Sequence, residues 1–560
     1  MRQLRAFSRL IMDCRSSAYP LAVGQIRLLL GQTWAMNPIM GTRLLATCQL
    51  LLGSLAPVAC AEQVRGRQTG DAGGTGANET SGFDSLDPSD GSTSRNEAGH
   101  ETTAEHETLG TTIATDPSDS TSRGDSSSGT ADTFFPGDGS STGATTGTGE
   151  TGGCVGNMEV AFSYIWIANS PEGTVSKVDT KTAVEHGRYL VSETPSGNAS
   201  MGPSRTSVNL EGDVAVLDRD GGLAKFYARE SDCQNTNGTP GIQTATGSGY
   251  LAWGEEECRA WRIALPKNPD PDESRGPRAV AWTASERIAD CSFSPAKVWV
   301  AFPHEDASGK AVVYLIDGEV GTILNQGEIA DCDCPEYGPY GGAVDGDNNF
   351  WFFDRDGTQR LYKVDYPASI GDPLAITPIT KVNDNDYGIT VDSAGRVWLA
   401  GESNMLSYYQ PDMNMWVDLE PELDAYFMGL NDAWVSDENI LRGLMQDGDG
   451  MLWIATITEF PGDAANPGLL RVDTTVDPME FTFFGTATFP ELAHSAGISI
   501  DVDGYVWLVD TGYVAGTMRF GEQAFKIDPV DQSYTIVDGL VLPYTYSDMT
   551  GYGLVSVIPR

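Results

Sequence analysis

A tryptophan recurs at near-equivalent positions along the second two-thirds of the chain. The phrases that carry it are YIWIAN, KVWVAF, NFWFFD, RVWLAG, MLWIAT and YVWLVD, with the tryptophans at Trp166, Trp299, Trp351, Trp398, Trp453 and Trp507. A seventh phrase, DVAVLD, has Ala215 at that position, and successive positions are 49, 84, 52, 47, 55 and 54 residues apart. Repeats of this length, built from short strands and turn residues, are typical of a β-propeller.

Each repeat follows the same plan. A strand ends in an Asp/Gly turn, the tryptophan strand follows, and after a loop a further strand ends in a phrase such as YKVD (362–365) or FKID (525–528). Asp-Gly turns suit such hairpins because glycine accepts positive φ. Seven repeats predict an all-β, seven-bladed propeller. The tail YSDMTGYGLVSV (546–557) matches the strand that opens other repeats, so we expect a C-terminal strand to close the ring.

The chain is expected to have three parts. Residues 154–560 form the propeller, with an insertion at about 229–285, and residues 61–153 form an acidic Gly/Ser/Thr-rich linker. A segment with so few large apolar residues cannot bury enough surface to fold, so we expect a disordered tether. Residues 1–60 have a basic flank and an apolar run, as in a signal peptide, and the true start is expected at Met36 or Met40.

The apolar run ends at Pro57-Val58-Ala59-Cys60, which resembles a bacterial lipobox. The resemblance implies a lipid on Cys60 and a membrane anchor. We therefore expect an exported protein, placed at the outer membrane or cell surface as a lipoprotein. Cleavage without lipidation, giving a periplasmic or secreted protein, remains the alternative.

The charge of the chain is strongly negative. Of the formal net charge of −43, residues 154–560 carry −36, because residues 1–60 carry +5 and residues 61–153 carry −12. A field of this sign repels nucleic acid, so nucleic-acid binding is excluded as a function. It favours solubility, cations and basic partners.

Six cysteines lie beyond the leader and the lipobox. An even number in an exported protein indicates disulfides. We expect Cys233 to pair with Cys258 across the insertion, and Cys291 to pair with Cys332 or Cys334, which leaves Cys154 and the other of these two. Zinc is the alternative for the closely spaced Cys332 and Cys334, although no neighbouring histidine supports it.

Two of the repeats, GITVDSAGRVWLAG (388–401) and GISIDVDGYVWLVD (497–510), resemble the repeat of the streptogramin lyase propeller family. In that family a magnesium ion is held with central His and Glu residues. Here the corresponding positions are Tyr387, Arg442 and Ala496, and His494 lies two residues before that register. The resemblance therefore implies the fold, and the lyase centre does not transfer.

The chain also resembles uncharacterised lipid-anchored propellers of Gram-negative bacteria, whose insertions carry an acidic loop of the calcium-binding type. The matching positions here are Asn235, Asn237, Thr239 and Gln243. They keep the alternate spacing of oxygen ligands but carry no carboxylate, which calcium prefers. Calcium is thus the one cofactor that the sequence suggests, and a relic loop held by the Cys233–Cys258 disulfide is the alternative.

Other candidate features have simpler explanations. Paired carboxylates recur at the hairpin of several repeats, at Asp345/Asp347, Asp447/Asp449 and Asp501/Asp503. Their repeated position indicates turn formation rather than a metal site. The tryptophans lie mid-strand, which indicates packing between blades rather than sugar stacking.

The leading hypothesis is a non-enzymatic binding or scaffold protein of the cell envelope, with an unknown protein or glycan as ligand. Its ligand site is expected near the propeller axis, at Arg205, Tyr340, Tyr387, Arg442 and His494. The two arginines stand out in so acidic a domain, where they either bind an anionic group or pair with nearby aspartates. The alternative is a metal-dependent lyase or hydrolase at the channel mouth, which would need carboxylates around a divalent ion. No catalytic residue is assigned.

Overall fold

A computed structural model describes residues 163–198, 201–266, 276–285, 294–305, 309–332, 334, 337–355, 359–383, 385–430, 439–458, 466–511 and 523–558. The leader at 1–60, the linker at 61–153 and the cysteines Cys60, Cys154 and Cys291 lie outside the described residues. No helix among the described residues is long and apolar enough to cross a membrane.

The described chain is an all-β propeller. Its first fifteen strands are β1 Tyr164–Asn169, β2 Thr174–Asp179, β3 Val184–Leu190, β4 Pro203–Val208, β5 Val214–Asp218, β6 Gly222–Phe226, β7 Arg259–Ala264, β8 Arg278–Trp282, β9 Lys297–Pro303, β10 Ala311–Asp317, β11 Ile323–Ile329, β12 Pro339–Val344, β13 Phe350–Asp354, β14 Arg360–Val364 and β15 Ile376–Thr380. The remaining strands are β16 Asp386–Val391, β17 Val397–Gly401, β18 Leu406–Gln410, β19 Met415–Asp418, β20 Asn439–Gln446, β21 Met451–Thr458, β22 Asn466–Asp473, β23 Glu480–Phe484, β24 Ser495–Ile500, β25 Val506–Asp510, β26 Gln523–Ile527 and β27 Tyr534–Val537. The helices are α1 Glu420–Gly429 and α2 Tyr552–Val557, with short 3₁₀ turns at Glu230–Asp232 and Pro411–Met413.

The described strands form six sheets, so the expectation of seven separate blades is wrong. One sheet has three strands (β1–β3), four have four antiparallel strands, and one has eight. The eight-stranded sheet arises because β8 and β12 pair in parallel, Tyr340 with Arg278 and Gly341 with Ala279. Gly342 permits this approach, since its φ is +139° and a Cβ there would lie 2.5 Å from the carbonyl oxygen of Val280.

The repeated aspartates form turns, as the sequence predicts. In each turn one carboxylate oxygen accepts the backbone N–H groups two and four residues on, and the other accepts the indole N–H of the tryptophan six residues on. The Asp–Trp pairs and their distances are Asp345–Trp351 2.8 Å, Asp392–Trp398 2.6 Å, Asp447–Trp453 2.7 Å and Asp501–Trp507 2.9 Å. These tryptophans are at most 1% exposed and pack between sheets.

The C-terminal segment closes the ring without forming a strand, which corrects the prediction. Pro543 makes one isolated bridge with Asn169, and the N–H of Tyr544 donates to the carbonyl of Ala168 at 3.0 Å. The carbonyl of Met549 also accepts the N–H of Trp166 at 2.9 Å. Beyond Met549 the segment turns into α2, where the Asp548 carboxylate accepts backbone N–H groups, from Gly551 at 2.8 Å among others. Helix α2 contacts the inner strands β12, β16, β20 and β24 at one end of the axial channel.

The predicted insertion holds both loop and strand. Strands β7 and β8 lie within the range 229–285, and β7 is the outer strand of the sheet that begins with β4. The predicted Cys233–Cys258 disulfide is present and ties the loop that precedes β7. Cys332 and Cys334 are paired with each other. The two lie in one short segment before β12, with their Cα atoms 5.1 Å apart, which is within reach of a disulfide. Cys291, their predicted partner, lies outside the described residues, so its pairing stays a prediction.

Candidate functional site

The inner strands begin at the end of the channel opposite α2, and five of them are irregular there. The pairing register shifts between Pro203 and Arg205, between Tyr340 and Ala343, and between Asp386 and Gly388. Strands β20 and β24 have the same irregularity near their starts. A bulge bends a strand and redirects its side chains, so the repeated shift gives several blades the same means of turning residues toward the axis.

The five residues predicted for the axial site lie together. The Cζ of Arg205 is 4.5 Å from the ring centroid of Tyr340, whose ring lies 5.6 Å from that of Tyr387. The Cζ of Arg442 is 5.4 Å from the Tyr387 ring, and its Nη1 lies 3.1 Å from the Nδ1 of His494. We call these five residues, together with Tyr337, Tyr544, Tyr546, Arg219, Arg278 and Arg355, the axial cluster. Whether it binds a ligand is a separate question.

Sequence reasoning missed about half of the axial cluster. The further members are Tyr337, Tyr544, Tyr546, Arg219, Arg278 and Arg355. Arg278 near the start of β8 occupies a place like that of Arg205 near the start of β4, and this equivalence was a usable signal. The alternation in the tail YTYSD was another, because residues two apart in an extended chain share a face. Arg355, directly after β13, corresponds to Arg219, directly after β5, and this match was a third signal.

Tyr340 has an unusually low pKa for a buried tyrosine. Burial alone raises the pKa of a phenol, because it disfavours the charged form. Here the guanidinium groups of Arg205, Arg355 and Arg278 outweigh burial and lower the pKa of Tyr340 to about 7. Burial raises the pKa values of Tyr544 and Tyr546 instead. Tyr340 is therefore set to ionise at a lower pH than Tyr544 and Tyr546.

The tyrosines are joined through their hydroxyl groups. The Oη atoms of Tyr387 and Tyr544 are 2.6 Å apart, and the hydroxyl of Tyr546 donates to that of Tyr387 at 3.4 Å. All three are buried. This chain of hydroxyl contacts fixes the rings against which the arginines stack.

Arg205 is the most unusual group of the site. Its side chain is fully buried and lies between the rings of Tyr340 and Tyr546, with Cζ at 4.5 and 4.6 Å from their centroids. Its Nη1 donates to the carbonyl of Ser204 at 2.9 Å. Its Nε and Nη2, which lie on one edge of the guanidinium, have no hydrogen-bond partner among the described residues. Buried polar groups are nearly always paired, so an orphaned pair of charged donors requires an explanation.

Two acidic groups near the cluster, Asp386 and Glu402, are paired with cations. The Nζ of Lys381 lies 2.8 Å from Asp386, and both side chains are almost completely buried. Glu402 lies 3.4 Å from Nη2 of Arg355, whose Nη1 has no hydrogen-bond partner. In the described part of the chain, the one group of possible metal ligands is formed by Cys332, Cys334 and Asp354, and its two sulfur atoms are joined in the disulfide.

No protein-family model and no curated protein matches this chain. Among solved structures it is similar to dihydro-heme d1 dehydrogenase NirN in complex with DHE, at 11% identity over 67% of this chain and 64% of that one, with a TM-score of 0.35. The Dos1 propeller aligns at 9% identity over 63% of this chain and 74% of that one, with a TM-score of 0.37. A fungal alcohol oxidase of the AA5 family, in complex with copper, aligns at 12% identity over 45% of this chain and 64% of that one, with a TM-score of 0.28. Likeness at this level carries no inference about ligand or activity.

The other end of the channel is nearly filled. A cavity of about 30 Å³ remains there, lined by Ser207, Tyr546, Asp548 and Leu554 among others. That volume is on the order of one or two water molecules. Burial raises the pKa of the Asp548 carboxyl to about 6. This end has no room for a ligand.

The four candidate calcium ligands do not converge. The loop is organised around the carboxylate of Glu257, which accepts the N–H groups of Asn237 at 2.9 Å and Gln243 at 2.8 Å. These backbone hydrogen bonds lower the pKa of Glu257. The side-chain amide of Asn235 donates to carbonyls of the loop, Gly241 among them, and Asn237 accepts the N–H of Thr239. Calcium binding stays a prediction.

Proposed function

We propose that this protein is a binding propeller that holds a carboxylate at the axial cluster. The observation that carries the proposal is the orphaned edge of Arg205, a fully buried guanidinium whose Nε and Nη2 have no partner. That edge presents two parallel N–H groups, which match the two oxygens of a carboxylate in a bidentate contact. A bound carboxylate would supply the missing acceptors.

The energetics support the same conclusion. Burying a charged group without hydrogen bonds costs several kcal/mol, and each unsatisfied buried donor costs about 1–3 kcal/mol. The rings of Tyr340 and Tyr546 offset part of this cost through cation–π attraction, which is worth about 2 kcal/mol when desolvated. They do not accept the two N–H groups in the plane of the guanidinium. An anion in that plane completes the coordination and leaves the stacking undisturbed.

Because the protein carries a large net negative charge, an anion can be attracted only over short distances, within the site itself. Residues 154–560 carry a net −36, so the long-range field repels anions that approach from solution. The attraction must then come from the short-range contacts of Arg205, Arg278 and Arg355. Such a site should select by fit rather than by steering, and salt should accelerate association by screening the repulsion.

The alternative of a metal-dependent lyase or hydrolase has less support. It would need carboxylates free to converge on an ion, whereas Asp386 and Glu402 are bound to Lys381 and Arg355. The kinship with streptogramin lyases is retained only as a proposal about ancestry. Attachment to the membrane through a lipid on Cys60, with the linker as a tether, is likewise part of this proposal. If the protein is attached to the membrane in this way, the bound carboxylate would belong to an envelope protein or glycan.

The proposal is tested by thermal unfolding and calorimetry on the exhaustively dialysed full chain. The probes are D-glucuronate, a short peptide with a free C-terminal carboxylate, the same peptide amidated, and sulfate, all at constant ionic strength. A ligand at one hundred times its Kd stabilises the fold by about 2.7 kcal/mol, which gives a clear rise in Tm. Glucuronate and the free peptide distinguish a glycan from a protein source.

The decisive variant is Arg205→Met, which should abolish the response to every carboxylate. Because it removes an uncompensated buried charge, its ligand-free stability should equal or exceed that of the wild type. Arg360→Gln is the matched control, since Arg360 lies at the surface in an ion pair with Asp331. An unchanged response in Arg205→Met, or no response to any probe in the wild type, would overturn the proposal.

A further inference from the structure

We infer that Tyr340 is an internal competitor for the arginines of the axial cluster, so that its ionisation releases the bound carboxylate as the solution becomes alkaline. This inference rests on the proposed function, because it states how the same site is regulated. It adds a proton switch to a binding site.

The geometry places one phenol among three guanidinium groups from three parts of the ring. The Cζ atoms of Arg205, Arg355 and Arg278 lie 4.5, 5.3 and 5.6 Å from the centroid of the Tyr340 ring. Tyr340 and these arginines are buried, so water screens their charges weakly. A negative charge on the Tyr340 oxygen is therefore attracted by the same cations that would hold a ligand.

Other titratable and charged groups face Tyr340 or its neighbours from several elements. Tyr387 on β16 packs against it at 5.6 Å, and Tyr544 and Tyr546 come from the C-terminal segment. Burial raises the pKa values of the last two, so they stay neutral where Tyr340 ionises. The nearby carboxylates, Asp386 and Glu402, are paired with Lys381 and Arg355. Further along the ring, Arg442 and His494 contact each other and adjoin Tyr387.

The charge balance explains the competition. Below neutrality Tyr340 keeps its proton, it adds no negative charge beside the unpaired edge of Arg205, and a carboxylate binds. Above neutrality the phenol gives its proton to water, and the resulting phenolate neutralises part of the cluster. A carboxylate would then bring a second negative charge into the same weakly screened space, which is unfavourable. Binding and deprotonation are thus linked with opposite sign.

The linkage between carboxylate binding and deprotonation of Tyr340 fixes how steeply the affinity depends on pH. The pKa of Tyr340 in the ligand-free protein is about 7. If the carboxylate binds only the protonated form, its affinity is constant below that pH and falls about tenfold per pH unit above it. Conversely, bound carboxylate raises the pKa of Tyr340, so binding above neutrality takes up a proton from solution.

The test measures the affinity of the full chain for D-glucuronate between pH 6 and 9, with a carboxyl group that stays ionised throughout. We expect a flat affinity near pH 6 and a tenfold loss per unit above about pH 7. Tyr340→Phe should bind with the affinity that the wild type shows at low pH, and without any pH slope. Tyr189→Phe is the matched control, because Tyr189 is a buried tyrosine of the first sheet and should leave the slope unchanged.

A second readout needs no ligand. Ultraviolet titration of the ligand-free protein should show one tyrosinate forming near neutrality, which is absent in Tyr340→Phe and delayed when glucuronate is present. Binding of glucuronate with no pH slope, or a wild type with no tyrosinate below about pH 9, would overturn the switch and leave the binding function standing. Absence of binding of both glucuronate and the free-carboxylate peptide at every pH, together with a neutral-range tyrosinate, would instead overturn the proposed function, and the switch with it.

Discussion

At the scale of single residues, the turn aspartates show how one side chain joins local and tertiary structure. Asp447 accepts the N–H groups of Asp449 at 3.0 Å and Met451 at 2.9 Å, and its second oxygen accepts the indole of Trp453 at 2.7 Å. The first two contacts fix the hairpin, and the third fixes the tryptophan that packs between sheets. These turns could be predicted from the sequence because all their partners lie within six residues.

Replacing Asp447 by alanine should lower the free energy of unfolding by at least about 1–3 kcal/mol, because a buried indole N–H and two turn amides lose their acceptor. Urea denaturation of the full chain measures the loss. Asp449→Ala is the control, since Asp449 is exposed in the same turn and should change stability by less than about 0.5 kcal/mol. Equal losses in the two variants would contradict this account of the turn.

At the scale of elements, the predictions from the sequence that were wrong concern features that depend on contacts between distant parts of the chain. The strands and their hairpins could be predicted from the repeat. The merging of β8 with β12 depends on the φ of Gly342, and the tail became α2 because Asp548 binds the N–H groups that begin it. Arg205 is far in sequence from Tyr340 and Tyr546, between which it stacks. The repeat placed each residue near the axis, but it could not say which side chains would meet.

The start of α2 should make stability depend on pH through Asp548. Burial raises the pKa of this carboxyl to about 6, above its unfolded value of about 3.9. The folded state therefore binds more protons between these pH values, and the contribution of Asp548 to stability falls as pH rises from about 4 to 6. Asp548→Asn, which keeps an acceptor oxygen for the helix amides, should remove that fall.

The measurement compares the free energies of unfolding of wild type and Asp548→Asn at pH 4, 5, 6 and 7. Their difference should shift in favour of the variant by about 1–3 kcal/mol across the window and then level off. Asp218, whose pKa burial also raises to about 6, contributes equally to both proteins and cancels. Parallel curves for the two proteins would mean that Asp548 does not hold its proton in the folded state.

At the scale of the whole molecule, a strongly negative domain surrounds a positive centre. The net charge of −36 over residues 154–560 is spread over a closed ring, while the axial cluster gathers several arginines near the axis. The like charges of the ring lie closer together in the folded state than in the unfolded chain. Their mutual repulsion therefore opposes folding, and screening should relieve it.

Added sodium chloride should accordingly raise the Tm of the full chain, most steeply at low concentration, since the screening length falls from about 30 Å at 0.01 M to about 10 Å at 0.1 M. Chloride could produce the same rise in another way, by occupying the unpaired edge of Arg205. The variant Arg205→Met separates the two causes, because it keeps the acidic ring and removes that edge. A rise of equal size in both proteins assigns the effect to the ring, whereas a rise confined to the wild type assigns it to an anion at the centre. A Tm that stays constant or falls with salt in both would mean that the repulsion among the surface acids is already balanced in the fold.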